Sequence, residues 1–216
     1  MNALIQREGK LLAPQLDYIL IDGSGSMSDK WWPTMAGLDG FLTVLQSQNV
    51  RSHGIVSVFS SRELQSIQRD SEIATWPRFT DSALGSQFGT TPLYDAINLM
   101  GRHLRALDPP KASIIIVTDG EENASKHTDA TQARAIINWM TAKGWQVTWL
   151  GCDFNNARQA ALLGATPRNT IGVRQAKLTQ AGHTLGEKRV RNIHSGADIA
   201  FTDDEKENFG GYLSHG

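Results

Sequence analysis

Two short apolar runs in this chain end in the same dipeptide, Asp-Gly. Residues 16–21 precede Asp22-Gly23, and residues 113–118 precede Asp119-Gly120. Apolar runs of this length, bounded by turn residues, are typical of buried strands. Parallel strands covered on both faces are apolar throughout, so these runs predict central strands of a parallel sheet. Each of these strands would end in an aspartate.

Strand and helix patterns alternate along the rest of the chain. The predicted helices are 31–48, 91–107, 128–143, 155–163 and a short one at 175–180. The further predicted strands are 54–60, 62–68, 145–151 and 169–173. This alternation predicts an α/β fold that is Rossmann-like and doubly wound, with a mostly parallel central sheet flanked by helices. Such sheets bind ligands at the carboxyl ends of their strands, where both aspartates would lie.

Hydroxyl groups accompany the two aspartates. Ser24 and Ser26 follow Asp22 at a spacing of two, and Thr91 stands at the start of a predicted helix. Hydroxyl and carboxylate oxygens suit Mg²⁺, Mn²⁺ or Ca²⁺ rather than zinc or copper. If the hydroxyls bind directly and the carboxylates partly through water, the metal keeps much of its positive charge. Such a site favours an additional carboxylate from outside, so we expect a docking site for an acidic group of a partner.

These residues resemble the metal-ion-dependent adhesion site of the von Willebrand factor type A (vWA) family. The first motif contains Asp22, Ser24 and Ser26, the second contains Thr91 within residues 89–95, and the third contains Asp119. The resemblance covers about residues 14–175, and three ordered motifs are far more specific than one. The small stand-alone form is similar to bacterial and phage members of the family.

The resemblance implies a non-enzymatic adaptor or assembly module with a vWA fold. It implies Mg²⁺ or Mn²⁺, with Ca²⁺ less favoured, bound through Ser24, Ser26, Thr91 and Asp119. Asp22 would hold a coordinating water and the two serines. An Asp or Glu of a partner protein would then fill the open position on the metal.

Composition and charge restrict the domain size, the classes of partner and the cellular location that we expect. The chain has 216 residues, enough for one good-sized core, and a net charge of −1, which favours neither nucleic acid nor an anionic membrane as partner. It has one cysteine, and residues 1–8 lack a signal-peptide pattern. We therefore expect a cytoplasmic location, in a bacterial cell or a phage-infected host cell.

The chain divides by composition into three parts. Residues 1–13 are predicted to be an N-terminal extension, residues 14–182 the vWA-like domain, and residues 183–216 a polar C-terminal extension. This last part would pack along the domain or become ordered on a partner. Its acidic residues Asp203, Asp204 and Glu205 suggest a further hypothesis, in which the chain self-associates by supplying an acid to a neighbour's metal.

Each feature also has an ordinary structural interpretation. The Asp-Gly pairs suit turns, Thr91 suits a helix cap, and Asp95 in the first helical turn suits the helix dipole. For Asp95 this interpretation is preferred over a metal ligand. Trp31 and Trp32 follow the metal motif and are candidates either for the core or for a partner contact.

Two other functions stay open. A metal-dependent, phosphatase-like hydrolase of Rossmann-like fold would need a nucleophilic Asp with a second acid two residues later, but that place is taken by Ser24. No lysine is evidently positioned to assist such a reaction. The second alternative is a structural component of a larger assembly, such as a phage particle.

Overall fold

The computed structural model describes residues 15–82, 84, 87–120, 122–152 and 156–210, and the predicted extension 1–13 lies outside them. Its strands are β1 (Leu16–Asp22), β2 (His53–Phe59), β3 (Ser66–Glu72), β4 (Ala112–Thr118), β5 (Gln146–Cys152) and β6 (Thr170–Val173). They form one sheet in the order β3-β2-β1-β4-β5-β6. Neighbouring strands are parallel except β2 and β3, so the predicted mostly parallel sheet is confirmed.

Helices cover both faces of this sheet. They are α1 (Trp31–Ser47), α2 (Leu93–Leu107), α3 (Ala130–Ala142), α4 (Asn156–Leu162), α5 (Leu178–Ser195) and α6 (Asp203–Gly210). The core on one face is closed by α1, α5 and α6, and the core on the other face by α2, α3 and α4. None of the described helices has the length and the apolar character needed to cross a membrane.

The apolar strands supply both cores because successive side chains of a strand point to opposite faces. In β1, Ile19 and Ile21 face the α1 side, whereas Tyr18 and Leu20 face the α2 side. All four side chains are fully buried. This double burial explains why the central strands read as continuous apolar runs.

The strand order reverses between β1 and β4. From β1 the chain adds β2 and β3 on one side, and then crosses to add β4, β5 and β6 on the other. Ile21 pairs with Val117 in register, so the carboxyl ends of β1 and β4 lie side by side. Open α/β sheets bind ligands at such a switch point.

The C-terminal part of the domain differs from its prediction. The predicted boundary between residues 182 and 183 falls inside α5, whose Leu185 is buried in the core. A Cβ atom at Gly182 would lie only 1.8 Å from the carbonyl oxygen of Gly37 in α1. Ile199, Phe201 and Phe209 lie in the same core. The described residues 183–210 are therefore integral to the domain. The lack of a side chain at Gly182 lets α5 approach α1 closely.

The third strand also begins later than predicted. Residues 62–68 were expected to form it, but β3 begins at Ser66 and extends to Glu72. The Ser60 hydroxyl accepts the backbone N–H groups of Arg62 and Glu63, which holds these residues in a turn. This strand pairs with β2 and is antiparallel to it.

Candidate metal centre

Asp22 ends β1 at the switch point and is fully buried. Its Oδ1 accepts the backbone N–H of Ser24 at 2.8 Å, and its Oδ2 accepts the hydroxyl of Thr118 at 2.6 Å. Burial raises the pKa of the Asp22 carboxyl to about 6, although the hydrogen bonds from Thr118 and Ser24 lower it. A nearby cation would stabilise the ionised form of this buried carboxyl group.

Ser24 and Ser26 flank a short turn directly after β1. Ser24 is buried and Ser26 is exposed. Their hydroxyl oxygens are 3.0 Å apart, and the Ser26 hydroxyl donates to Oδ1 of Asp119 at 2.8 Å. The turn is held in place by the backbone N–H of Gly25, which donates to the carbonyl of Gly89 at 3.0 Å.

Thr91 brings a third hydroxyl to the same place. A Cβ atom added at Gly120 would lie 3.2 Å from Oγ1 of Thr91, 3.7 Å from Oδ2 of Asp22 and 3.7 Å from Oγ of Ser26. Three oxygens from two segments, residues 22–26 and Thr91, therefore surround one small volume in front of Gly120, which belongs to a third segment. Glycine at position 120 leaves that volume open.

The structure thus brings together the oxygens of all five predicted ligands. Metal binding by these oxygens stays a prediction. Within the part of the chain that the structure describes, no group of three or more His, Cys, Asp and Glu side chains is arranged to hold a metal. A metal bound among these oxygens would therefore take much of its ligand set from the hydroxyls. Neutral and anionic oxygens in this ratio fit Mg²⁺ or Mn²⁺ and do not fit zinc.

The loop after β4 is anchored by two acidic side chains. Glu122 accepts the backbone N–H of Tyr94 at 2.9 Å, and of Ala124 and Ser125 at 2.7 and 2.6 Å. Asp95 accepts the backbone N–H of Lys126 at 2.8 Å. These contacts tie the loop to the N-terminal end of α2 and so fix the position of Thr91 relative to β4.

Asp95 lies in the first turn of α2, as predicted, and its carboxylate holds the loop after β4 through the backbone N–H groups of Lys126 and His127. Burial opposes its ionisation, but hydrogen bonds from the Lys126 backbone, the Thr128 hydroxyl and the His127 backbone outweigh this and lower the pKa of Asp95. The sequence did not reveal the role of Glu122, because two adjacent glutamates after a strand normally lie in a solvated loop.

Lys30 was also missed by the sequence analysis. Its Nζ lies 2.6 Å from Oδ2 of Asp119 and donates to the carbonyl of Ser26 at 3.2 Å. The Lys30 side chain is 17% exposed and that of Asp119 only 2%. A lysine therefore does lie beside the site, contrary to the expectation for the hydrolase alternative. The other argument against a hydrolase, Ser24 in place of a second acid, is unchanged.

The two adjacent tryptophans have different surroundings. Trp31 is 3% exposed and belongs to the core, so the predicted partner contact is wrong for this residue. Trp32 is 58% exposed, and for it a partner contact stays a prediction. Phe88, whose backbone N–H donates to the carbonyl of Gly23 directly after β1, is another exposed aromatic residue, and Arg62 stacks over its ring at 5.0 Å.

The fold is that of a von Willebrand factor type A domain. Over 85% of the chain it matches the pilus adhesin SpaC from Lactobacillus rhamnosus GG in its open conformation, with a TM-score of 0.68 and 13% identity, and this match spans 31% of SpaC. The vWF domain of the type V pili tip protein Mfa5 from Porphyromonas gingivalis matches 90% of the chain and is matched over its full length, with a TM-score of 0.65 and 10% identity. Manganese-loaded TRAP protein from Plasmodium vivax matches 79% of the chain over 73% of its own length, with a TM-score of 0.52 and 17% identity.

These likenesses are structural, since identities this low show a shared fold and leave activity open. No family model and no curated protein sequence matches the chain. The chain spans about a third of the length of SpaC, so the functions of that whole protein do not transfer to it.

Proposed function

We propose that this protein is a divalent-metal-dependent protein-binding module. The observation that carries the proposal is the convergence of the Ser26, Thr91 and Asp22 oxygens on the open volume in front of Gly120. The position of this volume at the switch point of the sheet supports it. So does the fold, which the chain shares with a pilus adhesin, a pilus tip protein and a manganese-loaded protein.

In this proposal, residues of this chain supply most of the protein ligands of the metal. The hydroxyls of Ser24, Ser26 and Thr91 and the carboxylate of Asp119 would hold Mg²⁺ or Mn²⁺, and the buried Asp22 would orient Ser24 and add negative charge. When bound, the metal would supply an open coordination position for an Asp or Glu side chain of a partner. The exposed rings of Trp32 and Phe88 would contact apolar side chains around that acid.

Thermal unfolding of the protein with Mg²⁺, Mn²⁺, Ca²⁺ or EDTA tests the metal site. A metal present at about 100 times its dissociation constant adds about 2.7 kcal/mol to stability. For a chain of this size, this corresponds to a rise in Tm of roughly 5–10 °C. We expect this rise with Mg²⁺ and Mn²⁺ in the parent protein.

Two single substitutions provide the comparison. Ser26→Ala removes a proposed ligand, whereas Ser28→Ala removes a nearby exposed hydroxyl that bonds only the carbonyl of Gly25 among the described contacts. We expect the metal-dependent rise to shrink in Ser26→Ala and to persist in Ser28→Ala. An unchanged Tm of the parent in every metal, at concentrations up to several millimolar, would reject the proposal.

Self-association through the C-terminal acids remains part of the proposal in a narrower form. Glu205 is engaged within its own chain, by Nζ of Lys188 at 2.9 Å. Asp203 and Asp204 are exposed at the start of α6. If they supply the acid to a neighbour, the oligomeric mass measured by light scattering will rise with Mn²⁺ and will not rise in Asp203→Asn/Asp204→Asn.

A further inference from the structure

Lys30 is built into the candidate metal centre. It lies immediately before α1, and its ammonium group contacts both Asp119 and the backbone carbonyl of Ser26. The nearby Asp29 is a weaker partner, at 3.8 Å and with a side chain that is 74% exposed. The contact with Asp119 is shielded from solvent on both sides, so its electrostatic energy is larger than that of a surface ion pair.

The two carboxylate oxygens of Asp119 accept hydrogen bonds from different groups. Oδ1 accepts the hydroxyl of Ser26, which belongs to the oxygen cluster, and Oδ2 accepts the ammonium of Lys30. A divalent cation held by the cluster and the ammonium would therefore share one carboxylate. Like charges this close oppose each other, and they do so more strongly where water is excluded.

Resting on the proposed function, we propose that Lys30 is a resident cation of this site, which neutralises Asp119 in the absence of metal and lowers the affinity for a divalent metal. Asp29 is largely exposed, so water and salt screen its charge, and the shielded groups Asp22, Asp119 and Lys30 together carry one net negative charge when both acids are ionised. A divalent cation reverses this to one positive charge. One carboxylate from a partner then restores neutrality, so metal and partner bind better together than the metal binds alone.

The alternative is that Lys30 is only a structural partner of Asp119. The two roles differ in their effect on metal affinity. A structural lysine holds Asp119 in position, so its removal weakens metal binding or leaves it unchanged. A competing cation has the opposite effect, and its removal strengthens metal binding.

Isothermal titration calorimetry with Mn²⁺ alone distinguishes these roles. Lys30→Met removes the charge and keeps about the same side-chain length. Lys30→Gln also removes the charge but keeps a hydrogen-bond donor. We expect each to bind Mn²⁺ about tenfold more tightly than the parent or better, the size that Coulomb repulsion at this range supports. In EDTA both variants should unfold at lower temperature than the parent, since Asp119 loses its counter-charge.

Two controls accompany these variants. Lys30→Arg keeps the positive charge and should bind Mn²⁺ within about threefold of the parent. Lys143→Met removes one positive charge from the exposed pair with Asp108 and should leave Mn²⁺ affinity unchanged, because exposed charges far from the site are screened by salt. The pair of Lys→Met variants therefore separates a local effect from a change in net charge.

The outcomes are distinct. If the parent binds Mn²⁺, and the folded Lys30→Met and Lys30→Gln variants bind it equally or more weakly, the proposed role of Lys30 is overturned. The proposed function then remains intact. An absence of Mn²⁺ binding in the parent and in both variants, each shown to be folded by circular dichroism, overturns the proposed function and this inference together.

Discussion

Arg189 and Asp17, which are 172 residues apart in the chain, form a buried ion pair with an Nε–Oδ1 distance of 2.7 Å. The side chains are 1% and 0% exposed. Asp17 lies in β1 and Arg189 in α5, so the pair joins the C-terminal helix to the centre of the sheet. It lies far along β1 from Asp22, and so anchors α5 without taking part in the candidate metal centre.

Arg189→Met should destabilise the protein by about 3–5 kcal/mol, because it leaves the Asp17 charge buried without its cation. Urea unfolding at pH 7 measures the loss. Lys143→Met, which breaks the half-exposed pair with Asp108, is the control and should change stability by less than about 1 kcal/mol. Similar small losses in the two variants would show that α5 does not depend on the buried pair.

Gly120→Ala should weaken Mn²⁺ binding by about tenfold or more. The added methyl group would lie 3.2 Å from Oγ1 of Thr91 and would occupy the volume that the cluster of oxygens surrounds. Gly172→Ala in β6 is a matched control, since a Cβ atom there meets nothing within 4 Å. Calorimetric titration compares the two, and equal affinities would place the metal elsewhere.

Gly182→Ala should destabilise the domain by about 3 kcal/mol or more. Its Cβ atom would overlap the carbonyl oxygen of Gly37 at 1.8 Å, and this backbone atom moves only if α1 and α5 separate. Chemical unfolding measures the effect against the same Gly172→Ala control. A loss below about 1 kcal/mol would mean that the two helices can move apart without disturbing the core.

The pair of Glu205 and Lys188 should make stability depend on pH. Burial opposes ionisation of Glu205, but the hydrogen bond and charge of Lys188 and the hydrogen bonds from Thr202 outweigh it and lower the pKa of Glu205. A carboxyl whose pKa is lower in the folded state binds fewer protons there than in the unfolded state. It therefore stabilises the protein above its ordinary pKa of about 4.3, and this contribution is lost as pH falls through the folded pKa.

Glu205→Gln isolates this contribution, because it removes the charge and keeps the shape of the side chain. The variant should be less stable than the parent at pH 7, by about 1 kcal/mol, and the difference should be smaller at pH 3. Unfolding by urea at the two pH values provides the comparison. An equal difference at both values would assign the effect to the capping hydrogen bond that Glu205 accepts from the backbone of Thr202.

The sheet and most of the candidate site are predictable from local sequence. Strands β1 and β4 are continuous apolar runs because both of their faces are covered, and each run ends directly in an aspartate. Ser24 and Ser26 follow Asp22 within one turn, so their proximity to it needs no tertiary information. Asp119 could be added because strand ends of a parallel sheet meet at one edge, and Thr91 could be added through the resemblance to the vWA metal site.

The surroundings of the site were not predictable in the same way. Lys30 is 89 residues from Asp119 in sequence, and a lysine before a helix has no local feature that distinguishes it from a solvated residue. Trp31 and Trp32 are neighbours in a helix and point about 100° apart, so only the orientation of α1 on the sheet places one ring in the core and the other in solvent.

The sequence by itself determined the α/β alternation, the sheet edge and the identity of the five oxygen-bearing residues. The tertiary structure alone decided that α5 belongs to the domain and that Lys30 and Glu122 belong to the site. The physical reason is that strand burial and turn formation depend on neighbouring residues. The approach of α5 to α1 and the pairing of Lys30 with Asp119 depend instead on how distant segments pack.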